Sequence, residues 1–126
     1  MRAVAEAVDL PEGAITLEGE LVFKSRIGDP KQTPYKDSLY AVEYKVTKVV
    51  EGDYAEDAVL VYHWAFRDRK LLESSRYAIG SVRRLTLVPF VTKKELKGVN
   101  SSNDSENFEL MGREFWAEKV EAMAGE

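Results

Sequence analysis

The stretch Val59–Lys70, reading Val-Leu-Val-Tyr-His-Trp-Ala-Phe-Arg-Asp-Arg-Lys, constrains the fold of this chain more than any other. Drawn out as a strand, it places Leu60, Tyr62, Trp64 and Phe66 on one face and Val59, Val61, His63 and Ala65 on the other, because successive side chains point to opposite sides. Both faces are largely apolar. A strand of this kind needs cover on each side, as in a barrel wall or the centre of a sheet. It holds the only histidine and one of the two tryptophans, and it ends abruptly in the charged cluster Arg67, Asp68, Arg69, Lys70.

The flanking sequence supplies neighbours for it. From Ala14 to Arg26, Ile15, Leu17, Leu21 and Phe23 alternate with Thr16, Glu18, Glu20 and Lys24, which predicts a first strand. Gly19 falls on its inward face, where a missing side chain permits the sharp coiling of a small barrel. Residues 27–36 carry two prolines and a Gly-Asp-Pro turn signal, hence a surface loop. Ser38–Val50 alternates again, with Tyr40, Val42, Tyr44 and Val46 opposed to Ala41, Glu43, Lys45 and Thr47, and is read as a half-exposed strand. Glu51–Asp57 turns the chain into the central stretch. Beyond it, Leu71–Ile79 suits a short helix ending at Gly80, and Val82–Phe90 a fourth strand with Leu85 and Leu87 inward and Pro89 at its end. Residues 91–107 are polar, and Asn100–Asn107 have almost nothing to bury, so a mobile loop is expected there. A last strand is expected from about Phe108 to Lys119, with Phe115 and Ala117 inward and Trp116 outward.

This order points to an all-β fold, a five-stranded OB-like Greek-key barrel with a short helix between strands three and four. A plain antiparallel sandwich is the alternative. With 126 residues the chain is read as one domain: an arm or short helix over 1–13, the barrel over 14–120 and a tail over 121–126.

The complete absence of cysteine excludes disulfides, thiol catalysis and thiolate metal sites. The apolar runs are too short to span a bilayer, so no transmembrane segment is expected. The net charge of -4 is unevenly spread: residues 1–63 hold 7 basic and 12 acidic side chains, residues 64–97 hold 9 and 3, and residues 98–126 hold 2 and 7. A basic block thus lies between acidic ones, and its local field can attract carboxylate or phosphate groups although the whole chain is acidic.

The runs Pro34-Tyr35-Lys36-Asp37-Ser38-Leu39-Tyr40-Ala41-Val42, His63-Trp64-Ala65-Phe66-Arg67-Asp68-Arg69-Lys70-Leu71 and Asn103-Asp104-Ser105-Glu106-Asn107-Phe108 resemble an uncharacterised bacterial module associated with secreted SGNH-hydrolase-like proteins of exopolysaccharide O-acetylation. The likeness runs from residue 14 to residue 117. It implies an extracytoplasmic accessory domain, periplasmic or secreted. The serine-containing blocks of the hydrolase itself are missing, so its acetyltransferase activity does not carry over.

The inventory for catalysis is poor. Serine chemistry needs a base, the single histidine sits within a strand, and nothing resembles Gly-x-Ser-x-Gly. One histidine and no cysteine make a transition-metal site improbable, and the loop Asn103–Glu106 lacks the spacing of a calcium-binding EF-hand. Gly28 and Gly80 are isolated turn glycines rather than phosphate cradles, so no cofactor is expected. Binding is the stronger expectation. The strand-two and strand-three face of an OB-fold is its usual surface for oligonucleotides and oligosaccharides. The residues proposed to serve it are Tyr35, Tyr62, Trp64, Arg67, Asp68, Arg69 and Arg84: aromatics to stack on rings, arginines to meet carboxylates or phosphates. The competing reading makes Tyr62, Trp64 and Phe66 core, with Arg67 and Asp68 as an ion pair closing the barrel end. The expected function is non-enzymatic binding of extracellular polysaccharide or a partner protein. The alternative is a single-stranded nucleic-acid binder, against which the sequence pI of about 5.2 argues.

Overall fold

The computed structural model describes residues 13–123; of the arm expected over residues 1–13 all but Gly13 lies outside the described residues, as do the last three residues of the tail. The chain forms β1 (Ile15–Lys24), β2 (Ser38–Glu51), β3 (Ala58–Arg67) and the two-residue β4 (Lys70–Leu71). A 3-10 turn at Glu73–Arg76 follows, then β5 (Val82–Pro89), β6 (Asn100–Ser102) and β7 (Phe115–Ala122). Between β5 and β7 lie further 3-10 turns at Phe90–Thr92, Lys94–Leu96 and Phe108–Leu110.

Five of the strands close into a barrel. β1 pairs antiparallel with β2 and with β5, β2 with β3, and β5 with β7, while the parallel pairing of β3 with β7 joins the ends of the ring. This is the expected OB-like all-β barrel, with its short helical turn between β3 and β5. The interior is filled by Leu17, Leu21, Tyr40, Val42, Tyr44, Val59, Val61, Leu85 and Leu87, all fully buried. Gly19 sits where β1 shifts register against β2, and a Cβ there would stand 3.0 Å from that of Tyr44 and 3.1 Å from the Lys45 carbonyl oxygen. The glycine lets the two strands approach as the sheet coils.

β3 is covered on both sides, as its sequence requires, but by two different layers. Val59, Val61 and Ala65 point into the barrel, whereas Tyr62 and Trp64 point outward into a second apolar cluster with Leu39, Ala41, Val88, Leu96 and Trp116. The cover is the long connection from β5 to β7, residues 90–114, which places Leu96 and Val99 on this face. The cluster corrects two expectations. Trp116 is buried against the outer layer rather than facing solvent, and the N-terminal half of β2 is closed on both faces because Leu39 and Ala41 lie under the same connection.

The polar stretch 100–107 is no loose loop. Asn100–Ser102 runs parallel to the start of β2, and the remaining polar side chains anchor the chain by hydrogen bonds instead of apolar burial. The Arg26 amide donates to Asp104 Oδ2 at 2.8 Å, the Asp104 amide donates to Ser25 Oγ at 2.9 Å, and Ser105 and Asn107 donate to the Glu43 carboxylate. The same Asp104 oxygen lies 3.6 Å from Arg26 Nε. The last strand begins at Phe115, not Phe108, because Phe108–Leu110 is wound into a 3-10 turn; it continues to Ala122, into the segment expected to be tail.

Candidate functional site: an aromatic and cationic cleft outside the barrel

The site starts from an irregularity in β3. Leu39 of β2 stands opposite Trp64, but the next residue back, Ser38, stands opposite Phe66, so Ala65 is an extra residue on β3. Such a bulge resets the alternation of side chains. Ala65 and Phe66 both enter the barrel core, and Arg67 emerges on the same outer side as Trp64. In a regular strand the two would point to opposite faces. With the bulge, the Arg67 guanidinium lies 4.5 Å from the centroid of the Trp64 ring, a stacked cation on an aromatic face. Trp116 meets Trp64 edge-on, with centroids 5.9 Å apart and planes at 87°.

These three residues form one wall of a cleft of about 450 Å³. Lys93, Glu95, Leu96 and Val99 from the covering connection form the other, and Asp37 lies at the entry to β2. Lys93 is held by two carboxylates, Glu95 at 3.1 Å and Glu118 at 3.3 Å. These carboxylates hold its ammonium above its ordinary pKa, and Glu95 is in turn held below its own, first by a backbone hydrogen bond and then by Lys93. Lys93 also lines a neighbouring groove of about 600 Å³ with Phe90, Val91, Lys94 and Lys97, so the two depressions adjoin.

Of the seven residues proposed from sequence, the cleft brings together Trp64 and Arg67. Tyr62 is buried, its ring tilted at 39° against Phe90 with centroids 4.6 Å apart and its hydroxyl in reach of the Asn103 and Ser101 side chains; burial raises its pKa. Asp68 and Arg69 form the two-residue turn between β3 and β4, with φ of 52° and 63°, the left-handed pair that tight hairpins use. The Asp68 backbone and the Arg69 side chain serve the fold. The Asp68 amide donates to Asp37 Oδ1, and Arg69 Nη1 donates to the carbonyls of Pro30 at 2.9 Å and Thr33 at 2.7 Å, pinning the β1–β2 loop. No Arg67–Asp68 pair closes the barrel, since Arg67 is stacked on Trp64. Tyr35 is half exposed on the β1–β2 loop and does not line the cleft. Arg84 is bound to Glu18 of β1 at 2.7 Å and lies outside the cleft; Arg83 stacks on Tyr77 at 4.0 Å. Of the three arginines proposed, only Arg67 therefore lies beside the aromatics of the cleft, since Arg69 is held by the β1–β2 loop carbonyls and Arg84 by Glu18. The sequence alone does not single out Asp37, at the end of the β1–β2 loop, or Lys93 and Glu95, whose only signal is a charged string interrupted by Leu96.

His63 is enclosed in the barrel. Its Nε2 is 2.9 Å from the Tyr44 hydroxyl, and the rings of Tyr44 and Tyr77 meet it edge-on. Burial, assisted by the nearby Arg83 cation, pushes its pKa down to about 3, so it is neutral at ordinary pH. Among the described residues no group of three or more acidic or imidazole side chains is arranged to hold a metal ion, and no helix is long and apolar enough to cross a membrane. Comparison with protein-family models, with curated proteins and with solved structures finds no match for this chain.

Proposed function

We propose that this barrel is a non-enzymatic binding module for a sugar polymer, and that the cleft between β3 and the β5–β7 connection is where the polymer lies. The observation that carries the reading is the composition of that cleft: Trp64 and Trp116 stand beside two carboxylates, Asp37 and Glu95, with Arg67 stacked on the first indole. Aromatic side chains present an apolar body to the C–H face of a pyranose ring, and carboxylates accept hydrogen bonds from its hydroxyls. The cleft lies on the outer β2–β3 side, the side on which OB-type barrels usually take oligosaccharides and oligonucleotides. Asp37 and Glu95 favour the first over the second, since they can accept from the hydroxyls that every sugar unit of a glycan carries and that a phosphodiester-linked chain largely lacks. An extracytoplasmic setting accords with the resemblance to the exopolysaccharide-associated module.

A glycan array probed with wild type and Trp64→Ala tests the proposal. Wild type should be retained on at least one family of polymers, and the variant, with folding verified by circular dichroism, should lose about tenfold or more in affinity, the loss of one stacked ring being worth roughly 1–3 kcal/mol. Retention on no glycan, or equal retention by a folded variant, would refute it. Binding to single-stranded oligonucleotide that weakens steeply with salt would favour the nucleic-acid alternative.

A further inference from the structure

Resting on that reading, we infer that the polymer is carboxylated, a uronate-bearing chain whose carboxylates are met by Arg67, Lys94 and Lys97 along the two adjoining depressions. Four cationic and two anionic side chains line the pair, in a chain whose net charge is -4. The local sign is opposite to the global one. Nor are these cations used up by the fold. Lys93 is neutralised by Glu95 and Glu118, but Arg67, Lys94 and Lys97 have no ion-pair partner among the described residues.

The form of these groups selects the anion. Arg67 lies over the Trp64 ring, its guanidinium 4.5 Å from the centroid, so that side-chain freedom is already spent on a planar group able to pair with a carboxylate. Lys94 and Lys97 are exposed point charges beside an apolar floor made by Phe90 and by Val91, which is 79 % exposed. An exposed apolar floor bordered by ammonium groups fits a ligand with a flat apolar face and charges at its edge, as a uronate ring has. Asp37 and Glu95 are each engaged through one oxygen, by the Asp68 amide and by Lys93, and the second oxygen of each can accept from hydroxyls between those charges. Every sugar unit carries them, whereas a polyphosphate has none to offer.

The test uses the full chain and three uronate polymers, polygalacturonate, alginate and hyaluronan, each beside its carboxyl-reduced form, which keeps the backbone and removes the charge. On at least one pair the acid form should bind about tenfold or more tighter, with a preference that shrinks as salt rises. The double variant Lys94→Gln/Lys97→Gln changes only exposed side chains, so folding should be unaffected. It should lose most of the preference while binding the reduced polymer as wild type does. Equal binding of acid and reduced forms would overturn the inference yet leave the sugar-binding reading standing. Absence of binding to all six polymers, with neutral glycans bound on the array, would do the same. Absence of binding to these six and to the whole array would remove both. Retention on inorganic polyphosphate matching that on the acid polymers would also overturn the inference, reducing the interaction to charge alone.

Discussion

Lowering the pH from 7 to 5 is expected to remove about 2 kcal/mol of folding stability through His63 alone. The unfolded histidine titrates near 6.5, whereas in the barrel its pKa is depressed to about 3 by burial and by Arg83. Above pH 6.5 neither state is protonated and the full stability is present. Below it the unfolded chain takes up a proton that the folded chain refuses, and stability falls by roughly 1.4 kcal/mol per pH unit until the folded pKa is reached. The groups facing the ring sustain the shift: the Tyr44 hydroxyl at 2.9 Å, Tyr77 edge-on at 5.2 Å between centroids, and Tyr40 at 6.3 Å. Urea unfolding of wild type and His63→Gln between pH 7 and 4 isolates the effect, because the carboxylates are common to both. Wild type should lose stability more steeply; parallel slopes would show that the imidazole is not held neutral.

The second large effect concerns the outer layer. Leu96 is 7 % exposed and is the apolar anchor by which the β5–β7 connection sits on Leu39, Ala41, Tyr62 and Val88. Leu96→Ala should cost about 2–4 kcal/mol, the sum of lost transfer energy and the cavity left behind. The cost should be felt in the cleft as well, since Leu96 lies between Glu95 and the Trp64–Trp116 pair. Chemical unfolding together with tryptophan fluorescence checks both consequences: a lowered midpoint and a red-shifted native emission as the indoles gain water. A change under about 0.5 kcal/mol with unaltered emission would mean that the connection does not depend on this contact.

These two sites also mark how far the sequence carries a reader. The barrel was legible because period-two alternation in β1, β2 and β5 assigns Leu17, Leu21, Val42, Tyr44, Leu85 and Leu87 to the interior, where all are buried. The β3 stretch announced cover on both faces but not which face was which. When both are apolar, alternation cannot distinguish the barrel interior from a second cluster outside it. The bulge at Ala65 was illegible for a related reason: it involves no glycine or proline, and shifting one apolar residue in an apolar run leaves no trace in the pattern. Yet that bulge is what brings Arg67 onto Trp64. The outer layer rests on a few apolar residues, Leu96 and Val99 among them, dispersed through a polar connection fastened by side chains such as Asp104 and Asn107. Composition reads such a segment as free, and only the tertiary partners show that it is held. Trp116 was assigned outward for want of that layer.

The most direct measurement of where a ligand lands follows the two indole N–H signals, Trp64 and Trp116, in a proton–nitrogen correlation spectrum during titration with a uronate oligosaccharide. Both indoles and the Arg67 side-chain signal should move together and saturate, while the amides around the Glu18–Arg84 pair on β1 and β5 stay in place. Saturable shifts confined to that β1–β5 wall, with the indoles unmoved, would contradict the assignment of the cleft as the binding surface.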